Sequence, residues 1–252
     1  MVMKFKEFLR KSLFYISVPR CVGCGEALEF NEEAFCKKCL FAYEQAKTRE
    51  CSVCMKRLPE CRCSNSYLFK NGVKTLVKKC RYRGCDNDNP FNKLLFSLKQ
   101  DYRADVIRFV ARELEGGLRP LIESYPDGTK FIITNVPRRK RAIVEYGYDH
   151  SYLLARELSD LLGIECLSFV KSHAKRSQKS TRRDLRQQNA RFSLKRNAPL
   201  NLVGTVVILV DDIVTTGASM GACVRIIKLL HPKRIIGCTV SIAYSDRDVP
   251  LI

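Results

Sequence analysis

Val207-Ile-Leu-Val-Asp-Asp-Ile-Val-Thr-Thr-Gly-Ala-Ser219 is the stretch that decides the fold. Its apolar run, Val207 to Val210, has the length and β-branching of a buried parallel strand. Asp211 and Asp212 stand where that strand is expected to end, and Thr215, Thr216, Gly217, Ala218 and Ser219 stand where a helix is expected to begin. Carboxylates at the carboxyl end of a strand can grip vicinal hydroxyls or a divalent cation. Free amides in the loop and at a helix N-terminus can cradle a phosphate. One ligand satisfies both halves: a ribose carrying a 5-phosphate and a pyrophosphate. The bland alternative is an acid pair that merely ends a strand and a Thr-Thr-Gly that merely caps a helix.

Outward from this stretch the chain alternates strands with helices. Residues 131–136 read as a second buried strand, closed by Pro137 and followed by Arg138, Arg139, Lys140 and Arg141. Ligands of open α/β sheets bind at that end of the strands, so these cations suit a pyrophosphate; a solvated basic loop is the other reading. Residues 164–170 and 234–243 are further strand candidates. Helices are expected over 91–99, over 102–114 with Gly116-Gly117 as its stop, and over 151–162 with Gly163 at its end. Met220, Val224, Ile227 and Leu230 form one more helical stripe, ended by His231-Pro232. The pattern is that of an α/β fold, an open and mostly parallel sheet with flanking helices. His150, His173 and His231 are assigned no catalytic role.

The formal charge of the 252 residues is +19, which calls for an anionic partner, with phosphate esters and nucleic acid the leading classes. Residues 171–196 carry ten Lys or Arg, among them Lys179, Arg182, Arg183 and Arg186, against one acid, Asp184. With no sustained apolar period, the segment reads as a mobile excursion that could close over a polyanion and stabilise charge on a leaving group. A nucleic-acid arm or a solvated charge run are its rival readings.

Eight of the thirteen cysteines come in close pairs: Cys21 and Cys24, Cys36 and Cys39, Cys51 and Cys54, Cys61 and Cys63. Two thiolates on a tight turn bind a metal from one side and a second pair completes the tetrahedron. The spacing suggests two small tandem zinc ribbons, Cys21, Cys24, Cys36 and Cys39 on one Zn²⁺ and Cys51, Cys54, Cys61 and Cys63 on the other, with an interleaved pairing as the alternative. So few large apolar residues accompany them that metal would supply the folding energy. Closed tetrads have no open position, so their role is structural or partner-binding. Cys80, Cys85, Cys166, Cys223 and Cys238 read as small hydrophobes.

The expected organisation is an N-terminal amphipathic helix (1–20), a double zinc ribbon (21–65) and an α/β domain (66–252). The helix places Phe5, Phe8, Leu9, Leu13 and Ile16 on one face, to dock on its own domain or on a membrane surface. Charges interrupt it, which excludes a signal peptide; no apolar run of transmembrane length occurs, and a cytoplasmic location is expected.

The 207–219 stretch resembles, without a gap, the phosphoribosyl-pyrophosphate (PRPP) motif of type I phosphoribosyltransferases. With the cysteine knuckles ahead of it and the basic segment between, nearly the whole chain resembles the ComF/GntX family of competence-associated phosphoribosyltransferase-like proteins. Val136-Pro137 and the basic residues after it look like that family's pyrophosphate loop. Residues 178–189 with Arg191-Phe192 look like its flexible loop. The family's Arg-Gly-Phe-Asn-Gln signature stands here as Tyr146-Gly-Tyr-Asp-His150. The resemblance implies a type I phosphoribosyltransferase fold behind a double zinc ribbon. It also implies binding of PRPP with Mg²⁺: Asp211 and Asp212 on the ribose hydroxyls, Thr215 to Ser219 on the 5-phosphate, and Arg138, Arg139 and the 171–196 loop on the pyrophosphate. Phosphoribosyl transfer to an unidentified acceptor is one implied role. Support of DNA uptake through single-stranded DNA and competence-machinery proteins, with the pocket as sensor or relic, is another. A regulatory subunit docking through its ribbons is a third.

Overall fold

A computed structural model describes residues 18–47, 50–51, 53–82, 89–173 and 192–243. Most of the expected N-terminal helix lies outside them, as do Cys85 and, from the basic excursion, Lys179, Arg182, Arg183 and Arg186.

In chain order the first half forms α1 (Lys37–Ala46), α2 (Ser66–Asn71), β1 (Thr75–Val77), β2 (Cys80–Arg81), α3 (Pro90–Gln100) and α4 (Ala104–Glu123). There follow β3 (Lys130–Asn135), α5 (Lys140–Tyr146), α6 (His150–Leu162), β4 (Val170–Ser172) and β5 (Phe192–Leu194). The last elements are β6 (Thr205–Val214), α7 (Ala218–Ile227), a 3₁₀ turn (Lys228–Leu230) and β7 (Arg234–Ile242). The central sheet is parallel, in the order β1–β7–β6–β3, with β2 continuing the β1 edge along β7. β4 and β5 form a separate antiparallel pair at the base of the basic excursion.

Strand alternation builds two cores from one strand. Val206, Ile208 and Val210 of β6 join Val110 and Leu114 of α4 and Leu154 and Leu158 of α6. Val207 and Leu209 face the other way, into Met220, Val224 and Ile227 of α7 and Leu68 of α2. Burial on both faces explains why the strand reads as an unbroken apolar run. Together with the cysteine sets described below, this is the α/β architecture expected from the sequence, a parallel sheet with flanking helices.

Three local expectations are corrected. β6 does not stop at the acids: Asp211 still pairs with Thr239, and Ile213 and Val214 with Ser241 and Ile242, because β7 is long enough to supply partners. α4 runs through Gly116-Gly117 to Glu123. The missing side chain of Gly117 is what allows the packing, since a Cβ there would stand 3.0 Å from Val77 Cγ1 and 3.2 Å from Lys79 Nζ. Residues 164–170 supply only Val170 to a strand, β4; otherwise they touch β3 through Ile133 N–H to Glu165 O and Leu167 N–H to Ile133 O, each 2.9 Å.

The eight paired cysteines form two sets, divided as sequential pairing requires, with the sulfurs of each set within 4.8 Å of one another. Gly25 holds the turn after Cys24 at φ 80°, and Gly23 has no room for a side chain, its Cβ position lying 2.6 Å from Cys39 Sγ. Burial would raise the Cys21 thiol, but amide donors from Cys36, Cys24 and Gly23 outweigh it and bring the pKa to about 7, whereas burial and the neighbouring sulfurs push the Cys39 thiol up. Each set is built into a different core. Beside the first, the buried Tyr43 ring packs on Phe91, Phe35 and Phe109 at centroid distances of 4.3, 5.2 and 5.3 Å, and its hydroxyl donates to Glu113 at 3.2 Å. Beside the second, Lys78 is buried and donates to Cys61 O and Cys63 O at 3.3 and 2.7 Å.

Metal analysis of reduced, freshly purified protein is expected to find about two zinc ions per chain, one per tetrathiolate, and a chelator should unfold residues 21–65 first by hydrogen exchange. Protein free of zinc yet equally protected would contradict the assignment.

Candidate functional site

The acids sit at the carboxyl end of the central strand, and the period of two sends them to opposite faces. Asp211 lines an open cleft together with Ile213, Val214, Thr215, Thr216, Gly217, Ala218, Ser219 and Met220. Asp212 is buried on the other face. There Lys99 Nζ, from the last turn of α3, stands 2.9 Å from its Oδ2, and His150 Nε2, first residue of α6, stands 3.3 Å away. The backbone ties the pair together: Asp212 N–H donates to Asp211 Oδ1 at 2.9 Å and Ile213 N–H to Asp212 Oδ1 at 2.7 Å.

This environment drives the two pKa values apart. Burial would raise Asp212, but the Lys99 charge and then His150 overcome it and hold the acid well below the usual carboxylate range. Asp211 is pushed well above that range, first by burial and then by the neighbouring Asp212 charge. Lys99, whose charge burial alone would disfavour, is raised by its contact with Asp212. The pair thus holds one fixed anion and one titratable acid that faces the cleft.

The phosphate half follows directly. Gly217 caps α7 in the left-handed region at φ 81°, a conformation that favours glycine. Ala218 N–H donates to Thr216 Oγ1 at 3.3 Å, and the helix ladder starts with Gly221 N–H to Gly217 O at 2.7 Å. Amides of the first turn therefore point out of the helix end without intrahelical acceptors, the arrangement that favours an anion.

Arg138 and Arg139 leave β3 at the same end of the sheet. The Arg138 guanidinium donates to Lys99 O at 3.2 Å and Tyr148 O at 3.3 Å and lies 4.4 Å over the Tyr146 ring. It braces the wall of the site as placed here. Arg139 occupies the N-cap position of α5 without a side-chain capping bond. The Tyr146–His150 segment forms a strap. Tyr148 Oη donates to Leu98 O at 3.1 Å; Asp149 accepts from Arg138 N–H at 2.9 Å and from Tyr152 N–H at 3.2 Å, capping α6. His150 ends the strap on Asp212.

Lys99 and His150 are the site residues that sequence reading missed. Lys99 looks like an ordinary cation in the last turn of an amphipathic helix, and nothing local ties it to Asp212. His150 carried a signal, a histidine directly after a helix-capping aspartate inside a recognisable signature position. The donor set suits Mg²⁺, a hard cation: the Asp211 carboxylate lines the cleft together with Thr215, Thr216 and Ser219.

Residues 149–250 match the model of the phosphoribosyl transferase domain, roughly two fifths of the chain. No curated protein matches the chain. Among solved structures, a purine phosphoribosyltransferase from Pyrococcus horikoshii Ot3 is 16% identical at a TM-score of 0.34, over 54% of this chain and 81% of that one. Trypanosoma cruzi hypoxanthine phosphoribosyl transferase is 15% identical at 0.37, over 57% and 68%. An adenine phosphoribosyltransferase is 19% identical at 0.34, over 63% and 72%. The chain carries a phosphoribosyltransferase-type domain, and the match supports a phosphoribosyltransferase as its enzyme class.

Proposed function

We propose that the chain binds PRPP with Mg²⁺ and transfers its phosphoribosyl group to an acceptor, releasing pyrophosphate. The observation that carries this is one cleft with an acid from the strand end on one side and the left-handed Gly217 turn into α7 on the other. Asp211 meets the ribose hydroxyls from the cleft, with Asp212 as the fixed charge behind it. Thr215, Thr216, Gly217, Ala218 and Ser219 hold the 5-phosphate. Arg138, Arg139, Lys179, Arg182, Arg183 and Arg186 are assigned to the pyrophosphate, Arg138 on condition that it leaves its carbonyl contacts. Mg²⁺, bound with the substrate and keeping several waters, would neutralise charge on the leaving pyrophosphate. The bond from C1 to the pyrophosphate oxygen breaks as an acceptor nucleophile bonds to C1.

A second role is favoured by the charge of +19. Single-stranded DNA would lie on the basic surface and the ribbons, in support of DNA uptake of the ComF type, and competence-machinery proteins would be its partners. The two roles are compatible, because the site can bind PRPP while the ribbons and the basic loop engage DNA.

Calorimetry should detect PRPP binding in Mg²⁺ that weakens at least about tenfold in Asp211→Ala, the usual size of a lost charge-assisted contact. Wild-type protein that neither binds PRPP nor releases pyrophosphate with any acceptor tried would refute the proposal. The affinity should also depend on pH. Asp211 holds its proton above the ordinary carboxylate range, and binding needs it ionised. Log affinity therefore rises by about one per pH unit up to the raised pKa and is level above it; a profile level through the acid range would contradict this. For the second role, affinity for a single-stranded oligonucleotide should fall linearly in log-log form as salt rises, and Asp211→Ala should leave it unchanged. A salt-independent affinity would exclude the basic surface as the binding face.

A further inference from the structure

The second cysteine set and the phosphate loop are joined by a very short path. Cys63 is the last sulfur of its set, and the next two residues, Ser64 and Asn65, are buried. Ser64 Oγ donates to Val73 O at 2.6 Å. Asn65 divides its amide between two elements: Nδ2 donates to Thr216 O at 3.2 Å, and Oδ1 accepts from Leu68 N–H at 2.9 Å, capping α2. Thr216 is in the middle of the phosphate loop.

α2 then lies against α7 where α7 has no side chains. A Cβ on Gly217 would stand 2.8 Å from Leu68 Cγ, and one on Gly221 would stand 2.6 Å from Tyr67 Cε1. Arg225 of α7 closes the contact by donating to Tyr67 Oη at 3.0 Å and Asn71 Oδ1 at 3.1 Å. On the other side, the buried Lys78 ammonium holds the Cys61 and Cys63 carbonyls. The backbone that carries the sulfurs therefore continues into the back wall of the anion site. The first set leads elsewhere, to α3, through Lys93 Nζ donating to Gly23 O at 2.9 Å.

We propose that Asn65 is a positioning residue for the phosphate loop, and that metal binding by Cys51, Cys54, Cys61 and Cys63 sets where Asn65 stands. The metal state of the second ribbon then regulates anion affinity at Thr215 to Ser219. A small ribbon with little apolar core depends on its metal for order. Without it the chain at Cys63 is released, Asn65 leaves Thr216 O, and the loop loses the donor that fixes its turn. For its ligand this inference rests on the PRPP reading; for the ordering of the loop it rests on geometry alone.

The test measures hydrogen exchange at amides 214–221 and PRPP calorimetry on the zinc-loaded full chain, with Asn65→Ser, Cys54→Ala and Cys24→Ala. Serine still caps α2 but is too short to reach Thr216 O. Asn65→Ser should keep wild-type zinc and α2 protection while its loop amides exchange about tenfold faster and PRPP binds about tenfold more weakly, as for one lost hydrogen bond to an ordered loop. Cys54→Ala should lose the metal of its set and show the same loop acceleration. Cys24→Ala should lose its own metal without that acceleration. Wild-type exchange at 214–221 in Asn65→Ser, or equal acceleration in both cysteine variants, would overturn the proposal. If the wild type fails to bind PRPP while the loop amides respond as described, the PRPP reading fails and the coupling stands.

Discussion

Asp212 is where the structure is tied together. A buried carboxylate is costly unless its charge is answered, and here the answer comes from two other elements: Lys99 at the end of α3 and His150 at the start of α6. That requirement fixes how α3 and α6 approach the end of β6. It also anchors the Tyr146–His150 strap, in which Asp149 caps α6 and Tyr148 reaches Leu98 O. Burial, and then the same charge, push the Asp211 carboxyl well above the usual carboxylate range. Adjacent residues of one type thereby acquire different work, one a fixed structural anion and the other a titratable group facing the cleft.

The opposite face depends on the absence of side chains rather than on charge. Gly217 and Gly221 are one helical turn apart, and both gaps are filled by α2. Gly217 thus serves two demands at once, the left-handed turn that starts α7 and the close approach of Leu68. Since α2 begins three residues after Cys63, the ribbon is part of the wall of the site.

Much of this was legible in the sequence. The apolar run of β6, the Thr-Thr-Gly turn and the cysteine spacing are local patterns whose chemistry is fixed by residues close together, and each led to its element. What stayed hidden depends on long-range packing. Lys99 and Lys78 look like solvated cations until the fold supplies a buried carboxylate for one and a pair of carbonyls for the other. Gly116-Gly117 looks like a helix stop until Val77 and Lys79 are laid against it. The strand end was misplaced because two acids in a row suggest solvent, whereas β7 continues to pair alongside them. Asn65, an unremarked residue between a knuckle and a helix, acquires its meaning only from Thr216.

The division of the acid pair is tested most directly by carboxyl-carbon NMR titration of the free protein, with the two aspartates assigned. Asp212 should stay ionised well below the ordinary aspartate value of 3.8, and Asp211 should keep its proton well above it. Two carboxyls that titrate together near 3.8, or in the reverse order, would contradict the account.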